Sequence, residues 1–279
     1  MDNTASGSFS INRPSFGTSD FLESNNLVVK FAFLLLVLIM FVVILRLGIS
    51  MLGYFMSPSL SPELINGMID ANYQNMDIPQ DPNMSNSITI YRSVNEKEGI
   101  EFTWSVWLFI NDISNNGMYK HVFSKGNNAF DASGIIQPNN APGLYISPNT
   151  NNLIVKMNTY NSIDEEIEVP GIPMNKWFNV IIRCLNTRLD VYINGTITRS
   201  ITLSGVPKQN YGDVYVAQHG GFNGYISKLA YFNHALSLSE IQKNINSGPS
   251  TKMIGLNGLT SNSIVNNYLS LRWFFNSAV

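Results

Sequence analysis

From Phe31 to Leu45 the chain carries no charged, amide or hydroxyl side chain, and from Ile88 onward its apolar residues fall on alternate positions. The first pattern predicts a membrane-spanning helix, because lipid offers the backbone no partners outside the segment and about 20 residues are needed to cross a ~30 Å hydrocarbon core. Lys30 and Arg46 flank the run at a helical separation of roughly 24 Å, so both can extend their charges to the interfaces of a helix over residues 27–47. A longer version to Met56 would place Arg46 in the core, where a charge costs up to ~3 kcal/mol. Two other readings of the run stay open: a buried core helix and a cleaved signal peptide, with Gly48 and Ser50 as small residues near a cleavage point.

The second pattern begins with Phe102, Trp104, Val106, Leu108 and Ile110 interleaved with Thr103, Ser105 and Trp107, a strand with one buried face. Further strands are expected at 121–124, 143–146, 153–157, 178–185, 189–193, 196–203, 214–217 and 225–232. Asn194-Gly195 between two of them predicts a type I′ hairpin, whose central residues both need positive φ. Many short strands with polar turns imply an antiparallel sandwich or jelly roll. One helix is expected after Ser237, where Ser237 and Glu240 have the spacing of a capping box, Leu236 and Ile241 that of a hydrophobic staple, and Gly248-Pro249 a stop.

The flanks complete the plan. Residues 1–26, rich in Ser, Asn, Thr and Gly, form a flexible polar tail. Residues 57–87 form a tether broken by Pro58, Pro62, Pro79 and Pro82, with a short amphipathic helix capped by Ser61 and striped by Leu64, Ile65, Met68 and Ile69. The folded domain occupies 88–248, and 249–279 is an extension whose Leu269, Leu271, Trp273 and Phe275 suggest a docked strand.

Composition narrows the chemistry. A net charge of −2 with 13% charged residues supplies no basic patch for phosphates, so nucleic acid is not an expected partner. The single cysteine, Cys184, excludes an internal disulfide and any multi-cysteine zinc site, and its parity with Phe178, Val180 and Ile182 predicts a buried thiol. His121, His219 and His234 lack metal-ligand spacing, and Trp104, Trp107 and Trp177 are expected in the core. Phe130, Tyr160, Tyr211 and Phe222 fall near expected loops, where aromatic faces can stack on sugar or anchor a protein.

The ordered set Phe102-Thr103-Trp104-Ser105-Val106-Trp107, Phe123-Ser124-Lys125-Gly126, Pro142-Gly143-Leu144-Tyr145, Trp177-Phe178-Asn179-Val180, Val191-Tyr192-Ile193-Asn194-Gly195 and Gly224-Tyr225-Ile226-Ser227 resembles the concanavalin A-like lectin/glucanase superfamily in its laminin G-like branch. The resemblance implies an all-β, antiparallel two-sheet jelly roll, here with one N-terminal transmembrane helix. It implies no resident cofactor, with calcium as a possible rim ion whose oxygen ligands would come from Asp131, Asp213 and Asn223. Glucanases of the superfamily resemble Glu-x-Asp-x-Glu on their active strand; Asp164-Glu165-Glu166-Ile167-Glu168 departs from that spacing, so no catalytic residues and no enzyme activity are expected. The layout of tail, anchor and Asn-rich jelly roll also resembles membrane-anchored proteins of large double-stranded DNA viruses.

Together these readings predict a single-pass membrane protein with a structural or adhesion role in a virion membrane, a host endomembrane or the cell surface. Its expected partners are the lipid bilayer and a capsid or other membrane protein, with glycan binding by a lectin-like receptor as the alternative and glycoside hydrolysis third. Arg13 and Lys30 before the span against Arg46 after it favour a cytosolic N-terminus, with the sequons at Asn83 and Asn194 on the translocated side.

Overall fold

A computed structural model describes residues 27–57, 59–97, 99–113 and 117–254. The chain divides into two compact units, Met1–Ser57 and Pro58–Val279. The expected tail at 1–26 and the apolar residues from Leu269 to Phe275 lie outside the described residues.

In the first unit, helix α1 (Leu27–Met56) runs for 30 residues with none buried, and is long and apolar enough to cross a membrane. It does not end near Leu47 but continues to Met56. No helix breaker stands in Gly48–Met56 other than two glycines, whereas Pro58 disfavours helical geometry at Ser57. Lys30 and Arg46 both lie inside this helix.

The described residues of the second unit form a sandwich of thirteen strands. These are β1 (Met68–Asp70), β2 (Met76–Ile78), β3 (Val94–Glu96), β4 (Gly99–Asp112), β5 (Lys120–Gly126), β6 (Asn140–Ile146), β7 (Leu153–Met157), β8 (Glu165–Val169), β9 (Trp177–Asn186), β10 (Arg188–Ile193), β11 (Thr196–Thr202), β12 (Asp213–Val216) and β13 (Asn223–Phe232). Among the described residues they form a seven-stranded sheet in the order β1-β13-β4-β9-β10-β11, with β3 beside β4, and a six-stranded sheet in the order β2-β12-β5-β6-β7-β8. All named pairings are antiparallel. This is the two-sheet jelly roll that the alternating pattern and the resemblance imply.

The alternating residues of β4 and those of β9, including Cys184, meet the other sheet in one core. Trp104 ties the layers together, stacked on Phe123 of β5 at 5.3 Å and edge-on to Tyr231 at 5.1 Å. The Cys184 thiol is fully buried, which pushes its pKa up to about 12. Trp107 is buried as expected, although outside the main cluster between the sheets, whereas Trp177 is only half-buried. Both belong to the opposite parity of the seven-stranded sheet, and Trp177 packs edge-on against Phe109 at 5.5 Å. On that same outer face lies α2 (Leu238–Asn246), which buries Ile241 and Leu236 against Ile181 and Tyr192. Its capping box at Ser237 and Glu240 forms as the spacing predicts. The Asn194-Gly195 turn has φ of 49° and 79°, the two positive values of a type I′ hairpin.

The tether expectation is overturned. Leu64, Ile65 and Ile69 are buried in the main core, the amides of Leu64 and Ile65 both donate to the Leu229 carbonyl, and β1 and β2 extend one sheet each. A helix of two or three turns is marginal in water, whereas the free edges of β13 and β12 offer backbone partners for the whole segment. The stripe Leu64, Ile65, Met68 and Ile69 therefore serves a chain that dips repeatedly into the sandwich. The sandwich begins near Glu63, which bridges to Ala230. At the other end Met253 bridges to Met68 and Ile254 packs on the core.

Candidate binding cleft at one end of the sandwich

A register shift in β5 between His121 and Phe123 turns Val122 and Phe123 both inward. Lys125, two residues on, shares the inward side with Phe123. It comes to lie where the two sheets part, beside Phe102 and Trp104 of β4 and Tyr231 of β13. Segments 90–93 and 208–211 cover this gap, leaving a cleft with a cavity of about 70 Å³. The Gln209 side chain donates to the Ser93 hydroxyl and so ties the two covers together. Below them a relay fixes the first cover: Asp213 accepts from the Gln80 amide at 2.8 Å, and the Gln80 side chain accepts from the Ile90 amide at 2.8 Å. Backbone contact this close needs Gly212, where a Cβ would stand 2.3 Å from the Gly126 carbonyl oxygen.

Lys125 is 9% exposed. Its amine donates to the carbonyls of Gly212 at 2.6 Å and Asn210 at 3.0 Å, and the Asn210 side-chain oxygen is 3.5 Å away. Burial lowers its pKa to about 8, partly opposed by the charge of Asp213. Among the described residues no aspartate or glutamate lines the cleft, whereas Arg92 and Lys208 do. Tyr211, 90% exposed, stands at the mouth with Tyr91, and Lys208 lies over the Tyr160 ring at 5.6 Å.

Of the aromatic candidates, Tyr211 lines the cleft and Tyr160 does not, though its ring lies under the amine of the cleft residue Lys208; both are strongly exposed. Phe130 is elsewhere, stacked on His219 at 5.0 Å and edge-on to His121, in the segment that folds over the outer face of the six-stranded sheet. Phe222 is 3% exposed in the main core, at the edge of the hollow that also contains Asn223; its position between Gly221 and Asn223 hid that the chain turns it inward.

The three calcium candidates stand apart. Asp131 closes its own turn, accepting from Ser133 and from the Ile135 amide. Asp213 holds Gln80, and Asn223 accepts from Asn111 at 3.1 Å. Among the described residues, no group of three or more His, Cys, Asp or Glu is placed to hold a metal ion. Asn223 does line a second hollow with Asp70, Asn72, Asn111 and the exposed Tyr73.

His121 and Ser124 touch at 2.9 Å, but they do not form a nucleophile and its base. The His121 Nδ1 accepts from the Gln218 amide, which leaves Nε2–H to donate to the serine hydroxyl, and both residues are buried. Burial, with the charge of His219, lowers the His121 pKa to about 3. In the acidic strand, Glu166 pairs with Lys156 at 2.5 Å and Glu168 accepts from Asn152 at 2.5 Å. Neither lines the cleft.

Sequence reasoning missed Lys125, Arg92, Lys208 and Tyr91. The signal for Lys125 was its shared parity with Phe123. Arg92 and Lys208 lie in irregular segments whose approach only the fold creates.

Two antiparallel sheets packed face to face around one core define a jelly-roll sandwich, here with a polar and aromatic cleft. Residues 81–242 match the family described as the concanavalin A-like lectin/glucanases superfamily, laminin G type, and the chain belongs to that superfamily. No curated protein sequence matches the chain. Among solved structures, the receptor binding domain of botulinum neurotoxin D is similar at 15% identity, with 64% of this chain and 43% of that one covered and a TM-score of 0.47. The binding domain of botulinum neurotoxin DC in complex with rat synaptotagmin II is similar at 20% identity, with 53% and 35% covered and a TM-score of 0.40. The chain spans less than half the length of these structures, and likeness at this level carries no functional information.

Proposed function

We propose that the chain is a single-pass membrane protein that presents a laminin G-like sandwich for recognition, in an adhesion or structural role, and that the sandwich binds through the Lys125 cleft. The observation that supports this best is the combination within the cleft of a buried amine, two further basic side chains, exposed tyrosines and no acid. Concave sites with a few convergent polar groups are where ligands bind. α1 supplies the anchor on this reading, with residues 27–47 in lipid and Lys30 and Arg46 reaching the two interfaces. The N-terminal tail is cytosolic and the sandwich lies across the membrane. The setting is a virion membrane or its host precursor, and the partner a capsid-type or other membrane protein; the resemblance of the chain's layout to membrane-anchored proteins of large double-stranded DNA viruses supports this. No glycosidase activity is expected, since Glu166 and Glu168 are engaged with Lys156 and Asn152 on an edge strand.

A lectin-like role is the second reading, favoured by the hollow where Asp70, Asn72 and Asn223 surround the exposed Tyr73, a set suited to sugar hydroxyls and a sugar face.

Expression of the full chain in sealed microsomes tests the anchor. Resistance to carbonate extraction, unchanged mass and protection of the C-terminal unit from protease are the expected results. Release by carbonate, or a shortened chain beginning near residue 50, would replace the anchor with a leader sequence.

A further inference from the structure

Buried charges in proteins are paired, because an unpaired one costs several kcal/mol. The described buried residues with charged side chains are Lys125, Lys156 and Asp190. Asp190 is held by Arg183 and Arg188, both at 3.1 Å, and Lys156 by Asp164 at 2.8 Å and Glu166 at 2.5 Å. Lys125 makes no ion pair among the described residues: its hydrogen bonds go to oxygens of Gly212 and Asn210, and the charge of Asp213, which accepts from the Gln80 amide, only partly offsets its burial. Two of its three N–H groups are used at 2.6 and 3.0 Å, and the third meets only an oxygen at 3.5 Å, the far limit of a hydrogen bond. One donor is thus open to an acceptor in the cleft. Arg92 forms no ion pair with any described residue and Lys208 is steadied over Tyr160, so two more cations stand at the opening. Size supplies the last constraint. A cavity of about 70 Å³ holds a few water-sized positions at the ~10–15 Å³ that each needs, the scale of a terminal group rather than of a sugar ring.

We propose that the cleft recognises a compact anionic group, a carboxylate, sulfate or phosphate at the end of a larger ligand, with Lys125 beneath it and Arg92 and Lys208 at the mouth. This rests on the reading of the cleft as the binding site. The anion supplies the direct ion pair that Asp213, engaged with Gln80, does not make with Lys125, and the Gln209–Ser93 contact holds both covering segments in place before it arrives.

The test is calorimetric titration of the full chain in neutral detergent at low ionic strength. The probes are sodium sulfate, sodium phosphate and methyl glucuronide, with methyl glucoside as the uncharged control. Vesicles of phosphatidylserine or phosphatidylcholine form a separate arm that distinguishes a lipid headgroup from a soluble anion. At least one anionic probe should bind, tenfold or more tighter than its neutral counterpart. Arg92→Gln and Lys208→Gln should each weaken it roughly three- to tenfold, as loss of one charge-assisted hydrogen bond does. Both residues lie in the cleft covers outside the hydrophobic core, so these variants keep the fold, which an unchanged thermal midpoint verifies. Equal binding of methyl glucoside that Tyr211→Ala abolishes would overturn the anion inference and leave the cleft reading standing. Anion binding indifferent to Arg92→Gln, Lys208→Gln and Tyr211→Ala would overturn both. Absence of binding by every anionic probe would overturn the inference outright.

Discussion

The six-stranded sheet buries two lysines and treats them in opposite ways. Lys156 on β7 stands between Asp164 and Glu166; burial works against its charge, but those hydrogen bonds and charges outweigh it and hold its pKa above the ordinary lysine value. Lys125 on β5 bonds only to oxygens of Gly212 and Asn210, and burial outweighs the charge of Asp213, taking its pKa down to about 8. The same side chain in the same sheet is a finished ion pair at one place and an unsatisfied cation at the other. A fold that pairs Lys156 and Asp190 internally has the means to pair a buried charge. Leaving Lys125 without a carboxylate destabilises the sandwich at neutral pH, and a site awaiting an external anion gives that cost a purpose.

The largest effect expected from a buried base lies at the acid end, in His121 on the same strand as Lys125. Its folded pKa of about 3 is below the unfolded value of ~6.5, so the unfolded chain takes up the proton first. Stability is complete above pH 6.5 and falls as pH drops toward 3, by ~4–5 kcal/mol at the upper bound. Urea midpoints across that range should show this slope, and His121→Gln should flatten it. An equal slope in the variant would mean that carboxylates such as Asp131, whose hydrogen bonds hold its pKa below the ordinary range, carry the acid limb.

Lys125 comes next, and at the alkaline end. Its folded pKa of about 8 is below the unfolded ~10.4. Between these values the unfolded chain holds the extra proton and stability rises with pH, by at most ~3 kcal/mol. Above about pH 10 the rise should reverse, because burial pushes the Tyr145 and Tyr231 phenols up and unfolded tyrosines ionise first. A saturating anion would raise the folded pKa again and flatten the gain. A gain unchanged by the anion would separate Lys125 from ligand binding.

Lys156→Met should matter least among the three buried bases. Its partners Asp164 and Glu166 are well exposed and stay solvated without it, so a loss of about 1 kcal/mol or less is expected, with no new alkaline slope. Smaller still is the stability effect of Arg92→Gln, within ~0.5 kcal/mol by chemical denaturation, although the same change weakens the ligand. A stability loss above 2 kcal/mol in either variant would give that residue a structural role.

The pattern of the chain carried the sandwich far better than it carried the cleft. Strands from β4 onward, apart from the acidic β8, were legible because apolar side chains alternate wherever one face is buried, and Asn194-Gly195 and Ser237 marked a turn and a cap through local chemistry alone. The segment around Leu64 and Ile69 misled because its stripe fits a helix as well as two dips into a core, and only the free edges of β12 and β13 decide between them. Aromatic residues near loops were a partial guide: Tyr211 lines the cleft, Tyr160 touches it only through Lys208, Phe222 is buried, and Phe130 packs on a histidine. The basic residues of the cleft come from segments far apart in sequence, and nothing local signals that Arg92, Lys125 and Lys208 converge.

The most direct test of the central claim is photocrosslinking in the native membrane. A benzophenone amino acid in place of Tyr211, at the mouth of the Lys125 cleft, is compared with the same group in place of Tyr73, in the hollow that contains Asn223. A discrete adduct from position 211, suppressed by Arg92→Gln and absent from position 73, is the predicted result. An adduct from position 73 alone would move recognition to the other hollow and leave the Lys125 cleft without a role in binding.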